Sequence, residues 1–242
     1  MFDNYINYIQ NIINNNDITN FKRNNIYNSI LEHVNYQQGA DYLKLILDEF
    51  NIDIEKIIEF SNMNDKIGNP VICDYGKLKC SPSSLRYIYH GCLIFNHINK
   101  VGLNNLNIVE LGGGYGGLCL CINYFAKYFN ITINKYHIID LPVVNKLINK
   151  YLENFNLNFN IEIHDSNSYG SNINDTNLFM ISNYCYSEID ISHRNKYKEI
   201  LIPKIINGFI IWNVPILETI KKEQTCENER PLTGQYNKFI YL

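Results

Sequence analysis

A glycine-rich run preceded by a carboxylate is the first place where this 242-residue chain could do chemistry. Val109-Glu110-Leu111-Gly112-Gly113-Gly114-Tyr115-Gly116-Gly117-Leu118 joins a β-branched stretch to a helical one. Gly112, Gly114 and Gly117 satisfy GxGxxG, a spacing that permits a tight turn whose backbone can touch a nucleotide-like ligand. Asp140, at the end of the next β-type stretch, is placed to take both hydroxyls of a ribose; lying just ahead of Pro142, it also suits a helix N-cap. Glu110 would face the pyrophosphate of a dinucleotide unfavourably, whereas S-adenosylmethionine has no phosphate and carries an ammonium and a sulfonium. That favours the methyl donor over NAD, with loop amides as the other way to satisfy the carboxylate.

A second group lies in SNYCYSEIDISHRNKY, where Glu188, Asp190 and His193 fall within six residues. Methyl transfer to oxygen is an in-line displacement at carbon with a good sulfide leaving group. The protein must therefore orient the acceptor and remove a proton from a hydroxyl that is barely acidic in water. Glu188 is the first candidate base, because Ile189 beside it suggests partial burial and hence a raised pKa; His193 is the second. Capping of a helix that begins near Ser192 would use Glu188 and Asp190 equally well. Upstream, Arg86 and His90 share a helix face and could line an acceptor pocket together with Tyr75 and Tyr87. An ion pair and amphipathic packing would explain the same four residues. No cluster of acids is firm enough to name metal ligands.

The elements that must position these groups follow two grammars. From residue 1 to about 100 apolar residues recur at helical spacing, as in Ile6, Ile9 and Ile13 or Ile54, Ile57 and Ile58, so a helical N-terminal region is expected, serving as lid, substrate wall or dimerisation element. An irregular segment near 67–87 precedes a helix starting at Pro82 or Ser83. From 101 to 242, five runs read as buried parallel strands: 107–111, 136–141, 160–164, 178–182 and 208–212. Helices near 116–129, 142–155 and 190–206 alternate with them, and the tail reads as a closing hairpin. This predicts an α/β, Rossmann-like sheet, mostly parallel with an antiparallel C-terminal hairpin, whose ligand sits beyond the carboxyl ends of the strands.

Composition narrows the partners. A net charge of -3 argues against a broad grip on nucleic acid. No signal-type N-terminus and no apolar run of membrane-spanning length is present, so a cytoplasmic chain with no membrane partner is expected, and a homodimer is among the expectations. Seven cysteines without a CxxC pair read as buried thiols. Asn and Ile each fill about one position in six, which fits an AT-rich genome.

VELGGGYGGLCLCIN, YHIIDLP and ISNYCYSEID, together with the upstream IGNPVICDYGKLKCSPSSLRYIYH and the closing ERPLTGQYNKFIYL, resemble the sugar O-methyltransferases. These are class I S-adenosylmethionine-dependent enzymes of bacterial polysaccharide clusters and large DNA viruses. The likeness covers roughly residues 65 to 242, and the composition fits a viral member in a host cytoplasm. It implies methyl transfer from S-adenosylmethionine to a sugar or glycan hydroxyl, so that Arg86 and His90 would line a sugar pocket and Tyr75 and Tyr87 would stack on pyranose faces. Gly112, Gly114 and Gly116 would lie against the methionine half of the cofactor with Glu110 beneath, Asp140 would hold the ribose, His164 and Asp165 would border the adenine, and Asn183 and Tyr184 would stand beside the reactive methyl. The space before the closing hairpin is shorter than the family's, so the usual helix there must be short. An NAD-dependent oxidoreductase and a non-catalytic scaffold of the same fold are the alternatives.

Overall fold

In the computed structural model, which describes residues 2–242, the helical spacing of the first hundred residues becomes α1 (Phe2–Asn15), α2 (Asn25–Asn28), α3 (Tyr36–Phe50), α4 (Ile54–Asp65) and α5 (Pro82–Lys100). Pro82 opens α5, where its fixed φ suits a first helical position and its missing N–H costs nothing. The abundant asparagines act locally. Asn35 and Gln38 exchange the two hydrogen bonds of a capping box at the start of α3, and Asn51 ends that helix at φ 51. Among the described residues, six of the eight non-glycine residues with positive φ are asparagines, the side chain that best tolerates that region after glycine. Two short strands, β1 (Cys73–Asp74) and β2 (Lys79–Cys80), pair within the irregular segment before α5.

The chain forms two compact units. One runs through Leu93 and takes in Gly114–Phe125 and Lys146–Asn156. It contains α6 (Gly117–Phe125) and most of α7 (Pro142–Leu152) beside the N-terminal helices. Tyr115 is fully buried in this unit, edge-on to Tyr87 and Tyr151.

The other unit carries the sheet: β3 (Leu106–Leu111), β4 (Ile133–Asp140), β5 (Asn160–Asp165), β6 (Leu178–Asn183), β7 (Ile205–Trp212), β8 (Thr225–Asn228) and β9 (Lys238–Tyr241). Their order is β5-β4-β3-β6-β7-β9-β8; the first five run parallel, and β9 lies antiparallel between β7 and β8. This is the expected α/β class, a mostly parallel Rossmann-like sheet with an antiparallel C-terminal hairpin. Val109, Leu111, Met180, Ile210 and Trp212 share one core cluster with Tyr197 and Leu201, which belong to and follow α9 (Ile191–Ile200). A short helix, α8 (Cys185–Glu188), follows β6 directly.

Two readings change. Asn160–Asp165 is an edge strand in which His164 alone is buried; its Asn-Ile-Glu-Ile-His alternation suits a strand solvated on one side. Between Trp212 and Thr225 there is no helix, long or short, but a run of bends tied by Gln224, which accepts from the Ile220 amide.

Strand β7 approaches β6 so closely at Gly208 that a Cβ there would come within 2.6 Å of the Met180 carbonyl oxygen, a backbone atom that cannot step aside. Gly208→Ala is expected to destabilise the protein by about 1–3 kcal/mol in denaturant unfolding. An unchanged midpoint would show that the two strands are not in this register.

Candidate functional site

The succession of strands reverses between β3 and β6, and at such a switch point the carboxyl ends leave a crevice for a ligand. Ser182 Oγ donates to the Leu111 carbonyl (2.9 Å) and accepts from the Tyr186 amide (3.0 Å), tying both strand ends to α8. Gly112 has φ +86, and a Cβ on it would overlap Cys185, so only glycine fits. Gly114 (φ +60) and Gly116 (φ +96) are left-handed as well; they belong to the other unit, where Leu31 and Leu152 occupy the space beside them.

Tyr184, just past β6, is held left-handed although it is neither glycine nor asparagine, at φ +66. Strain of this kind, of order 1–3 kcal/mol, persists only where surroundings impose it. Here they do: the Tyr184 amide donates to the Ile211 carbonyl (2.9 Å), and its hydroxyl donates to Glu229 Oε1 (2.5 Å). Glu229 is buried, and its Oε2 accepts from the Thr233 amide, the Thr233 hydroxyl and Asn237 Nδ2. Sequence reasoning missed Glu229; its signal is the spacing Glu229, Thr233, Asn237 within ERPLTGQYN. Asn183, beside Tyr184, is half-buried at the strand end.

Glu110 is 2% exposed and accepts from the Tyr136 hydroxyl (2.9 Å). Burial raises its pKa to about 8, the Tyr136 bond works against that, and the nearby Asp140 charge adds to it. Asp140 is half-buried; its Oδ1 accepts from the Leu141 amide (2.7 Å), which lies ahead of the first turn of α7. Asn145 bridges β4 and β5 beside it, its Nδ2 donating to the carbonyls of Asp140 and His164. Asp165 is exposed and caps the turn 166–168 through the Asn167 amide (2.8 Å). His164 is buried against His137, 2.9 Å between ring nitrogens.

The burial expected at Glu188 is absent. In α8 the inward positions go to Tyr186 and Ser187, and Glu188 is exposed, its Oε1 accepting from Asn213 Nδ2 (2.5 Å). Nor does it cap α9, whose N-cap position falls to Asp190 without a side-chain capping bond. His193 is exposed too, stacked on Tyr169 with Nδ1 2.7 Å from its hydroxyl.

In the other unit, Arg86, Tyr87 and His90 are buried and do not form an open sugar wall. Arg86 donates to the Leu31 carbonyl (2.7 Å), Tyr87 packs on Tyr115, and His90 sits edge-on to Tyr42, its pKa pushed well down by burial and then by Arg86. The reason is their place in the segment 80–95, where every residue is buried. Tyr75 is half-buried and stacks on Tyr36 (5.1 Å), so one face of its ring is already covered. Two charges from the first 60 residues also went unread. Lys22 is wholly buried over the Tyr115 ring (4.1 Å), donating to the Asn64 carbonyl. Glu32, its pKa raised by burial against the pull of Lys22, lines a cleft of about 270 Å³ with His33, Tyr36, Val71 and Cys73. Its Oε1 has no hydrogen-bond partner among the described residues, so it could accept from a hydroxyl or ammonium. The thiols divide: Cys80, Cys92, Cys119 and Cys121 are buried, while Cys226 is exposed. No helix among the described residues is long and apolar enough to cross a membrane.

No family model and no curated protein matches the chain. Among solved structures it is similar to the amino pentose methyltransferase CalS10 of Micromonospora echinaspora, bound to S-adenosylmethionine: 10% identity, 58% of this chain and 57% of that one, TM-score 0.40. TrmK of M. capricolum, in complex with S-adenosyl-homocysteine, is 15% identical over 61% of this chain and 65% of that one, with TM-score 0.39. Thermoplasma acidophilum 1320 is 11% identical over 76% and 95%, with TM-score 0.42. At these levels the likeness concerns the course of the chain, and any function must be argued from its own residues.

Glu110 makes stability depend on pH in a definite direction. The folded state keeps this proton up to about pH 8, whereas the unfolded chain releases it near the ordinary glutamate value. Stability is therefore fully present below that ordinary value and falls as pH rises toward 8, by up to about 1.4 kcal/mol per pH unit from this one group. Glu110→Gln should flatten that fall in melting temperatures measured from pH 5 to 8. Parallel curves for the two proteins would mean that Glu110 is ionised in the fold.

Proposed function

We propose that the chain is an S-adenosylmethionine-dependent O-methyltransferase whose acceptor is a sugar hydroxyl. The observation that carries the cofactor is the left-handed Gly112 turn at the switch point, with buried Glu110 on the strand leading into it and Asp140 at the end of the neighbouring strand. A carboxyl in a dry site favours a cationic ligand over a phosphate, because a nearby ammonium restores its charged form while a pyrophosphate would oppose it. Glu110 and the glycine turn would receive the amino-acid end of the cofactor, Asp140 the ribose hydroxyls, and Asp165 the adenine edge. Bound there, the cofactor supplies an electrophilic methyl group on sulfur.

The acceptor side of the reading rests on the residues after β6. Asn183 and Tyr184 stand at the strand end, and Glu188 and His193 follow within ten residues. Transfer breaks the methyl carbon–sulfur bond, forms a carbon–oxygen bond, and leaves the hydroxyl proton to be taken by Glu188 or, failing that, His193. An exposed Glu188 must be desolvated by the acceptor itself to become an effective base. The sugar class is supported by the family resemblance of the glycine loop, the strand-end SNYCYSE and the closing ERPLTGQYN.

S-adenosylhomocysteine at a hundredfold excess over its dissociation constant should stabilise the native state by about 2.7 kcal/mol in thermal unfolding, with no shift from NAD. The reverse pattern would establish the oxidoreductase alternative. Asp140→Ala should weaken S-adenosylhomocysteine binding by about 1.5–3 kcal/mol in calorimetry, through loss of a charge-assisted contact. Equal affinity in a folded variant would remove Asp140 from the site.

The base has its own test. Glu188→Gln should keep cofactor affinity and lower the single-turnover methylation rate on a glycan or nucleotide-sugar acceptor by about 100-fold or more, since an amide cannot take the proton. Wild-type turnover in Glu188→Gln with a large loss in His193→Ala would transfer the role to the imidazole.

A further inference from the structure

Parallel pairing of β4 with β5 sets His137 opposite Glu162 and Ile139 opposite His164, which brings three potential metal ligands to one face of the sheet. His137 Nδ1 lies 2.9 Å from His164 Nε2 and 3.4 Å from Glu162 Oε2, and the last two atoms are 3.9 Å apart. A triangle with those edges has its corners about 2.0 Å from its centre, the distance at which zinc binds imidazole nitrogen and carboxylate oxygen.

The surroundings prepare the same atoms. His137 Nε2 lies 3.1 Å from Asp175 Oδ2, and since a carboxylate can only accept, the ring proton is on Nε2 and the Nδ1 lone pair faces into the triangle. Carboxylate–imidazole pairs of this kind orient histidines at metal sites. Asp175 is itself held by Asn107 Nδ2 and Lys135 Nζ, and the His164 ring is hydrogen-bonded to Asn172. Lys135 takes the other oxygen of Glu162, at 3.0 Å, which leaves Oε2 for the triangle. With neutral imidazoles, Glu162, Asp175 and Lys135 carry a net charge of -1, so the locality suits a cation. A single proton shared by the two rings would leave Nδ1 of His137 and Oε2 of Glu162, both acceptors, facing each other at 3.4 Å.

We propose that His137, Glu162 and His164 bind one divalent first-row metal ion of the zinc type, with water completing the coordination on the side where Glu162 is 45% exposed. The ion would clamp edge strand β5 to β4 and to the segment around Asp175. The proposal is independent of the methyl-transfer reading. Two nitrogen donors argue against Mg²⁺, which prefers an all-oxygen shell.

The test is calorimetric titration of the full chain with Zn²⁺, paired with visible spectra of the Co²⁺ form. One equivalent should bind, with the d–d bands of a four-coordinate nitrogen–oxygen site and no thiolate-to-cobalt band. Glu162→Gln, an exposed change that spares the core, and His164→Asn should each weaken Zn²⁺ by about 100-fold or more, and Asp175→Asn by about 10-fold or more. Zn²⁺ should raise the melting temperature of the parent but not of Glu162→Gln, and Mg²⁺ should leave both unchanged. Failure to bind Zn²⁺, a thiolate band from the cysteines, affinity unaffected by Glu162→Gln, or equal stabilisation by Mg²⁺ would each overturn the proposal.

Discussion

The contact between the ends of β3 and β6 constrains the backbone on either side of it. Gly112 lies against Cys185 with no room for a Cβ, and Ser182 ties the Leu111 carbonyl to the Tyr186 amide. The chain leaves β3 through a left-handed glycine and β6 through a left-handed Tyr184. Backbone amides and carbonyls freed from the ladder at this point are what a ligand can reach, which is why α/β sheets bind at their switch points.

Three glutamates buried among the described residues meet different fates. Glu229 accepts three hydrogen bonds at one oxygen and one at the other, and so is buried with its polar capacity used. Glu110 accepts from Tyr136, and burial prevails, raising its pKa to about 8. Glu32 stands between them, with Lys22 and Arg86 pulling its pKa down and burial pushing it up. A satisfied carboxylate is structural. An under-satisfied one beside a crevice can change protonation when a charged ligand arrives, and Glu110 is the one on the strand that leads into the glycine turn.

The strands and the glycine loop were legible in the sequence because their signals are local. A β-branched run, the glycines that permit positive φ, and Pro82 at a helix start each act through the backbone of a few neighbours. The same logic fails at Glu188, because one apolar neighbour, Ile189, does not decide burial and α8 turns Tyr186 and Ser187 inward instead. It failed at Arg86 and His90 as well. Their shared helix face was read correctly, but whether such a face meets solvent or core is decided by chain far away, here the Leu31 carbonyl and Tyr42. The His137–Glu162–His164 group was beyond reach for a related reason: it exists only once the register of β4 on β5 is set, and register is a property of two strands together.

The motifs that carry the family resemblance do unequal work in the fold. In ERPLTGQYN, Glu229 gathers the closing loop and holds the Tyr184 hydroxyl. SNYCYSE supplies Ser182 as the strand tie and Tyr184 as the strained residue that Glu229 restrains. The two segments, 45 residues apart at that bond, thus act as one device. Its consequence is that the tail sets the conformation at the end of β6. A strained residue gains a fixed geometry only if something outside its own segment opposes relaxation, and a buried carboxylate with both oxygens engaged supplies that opposition with little freedom to yield.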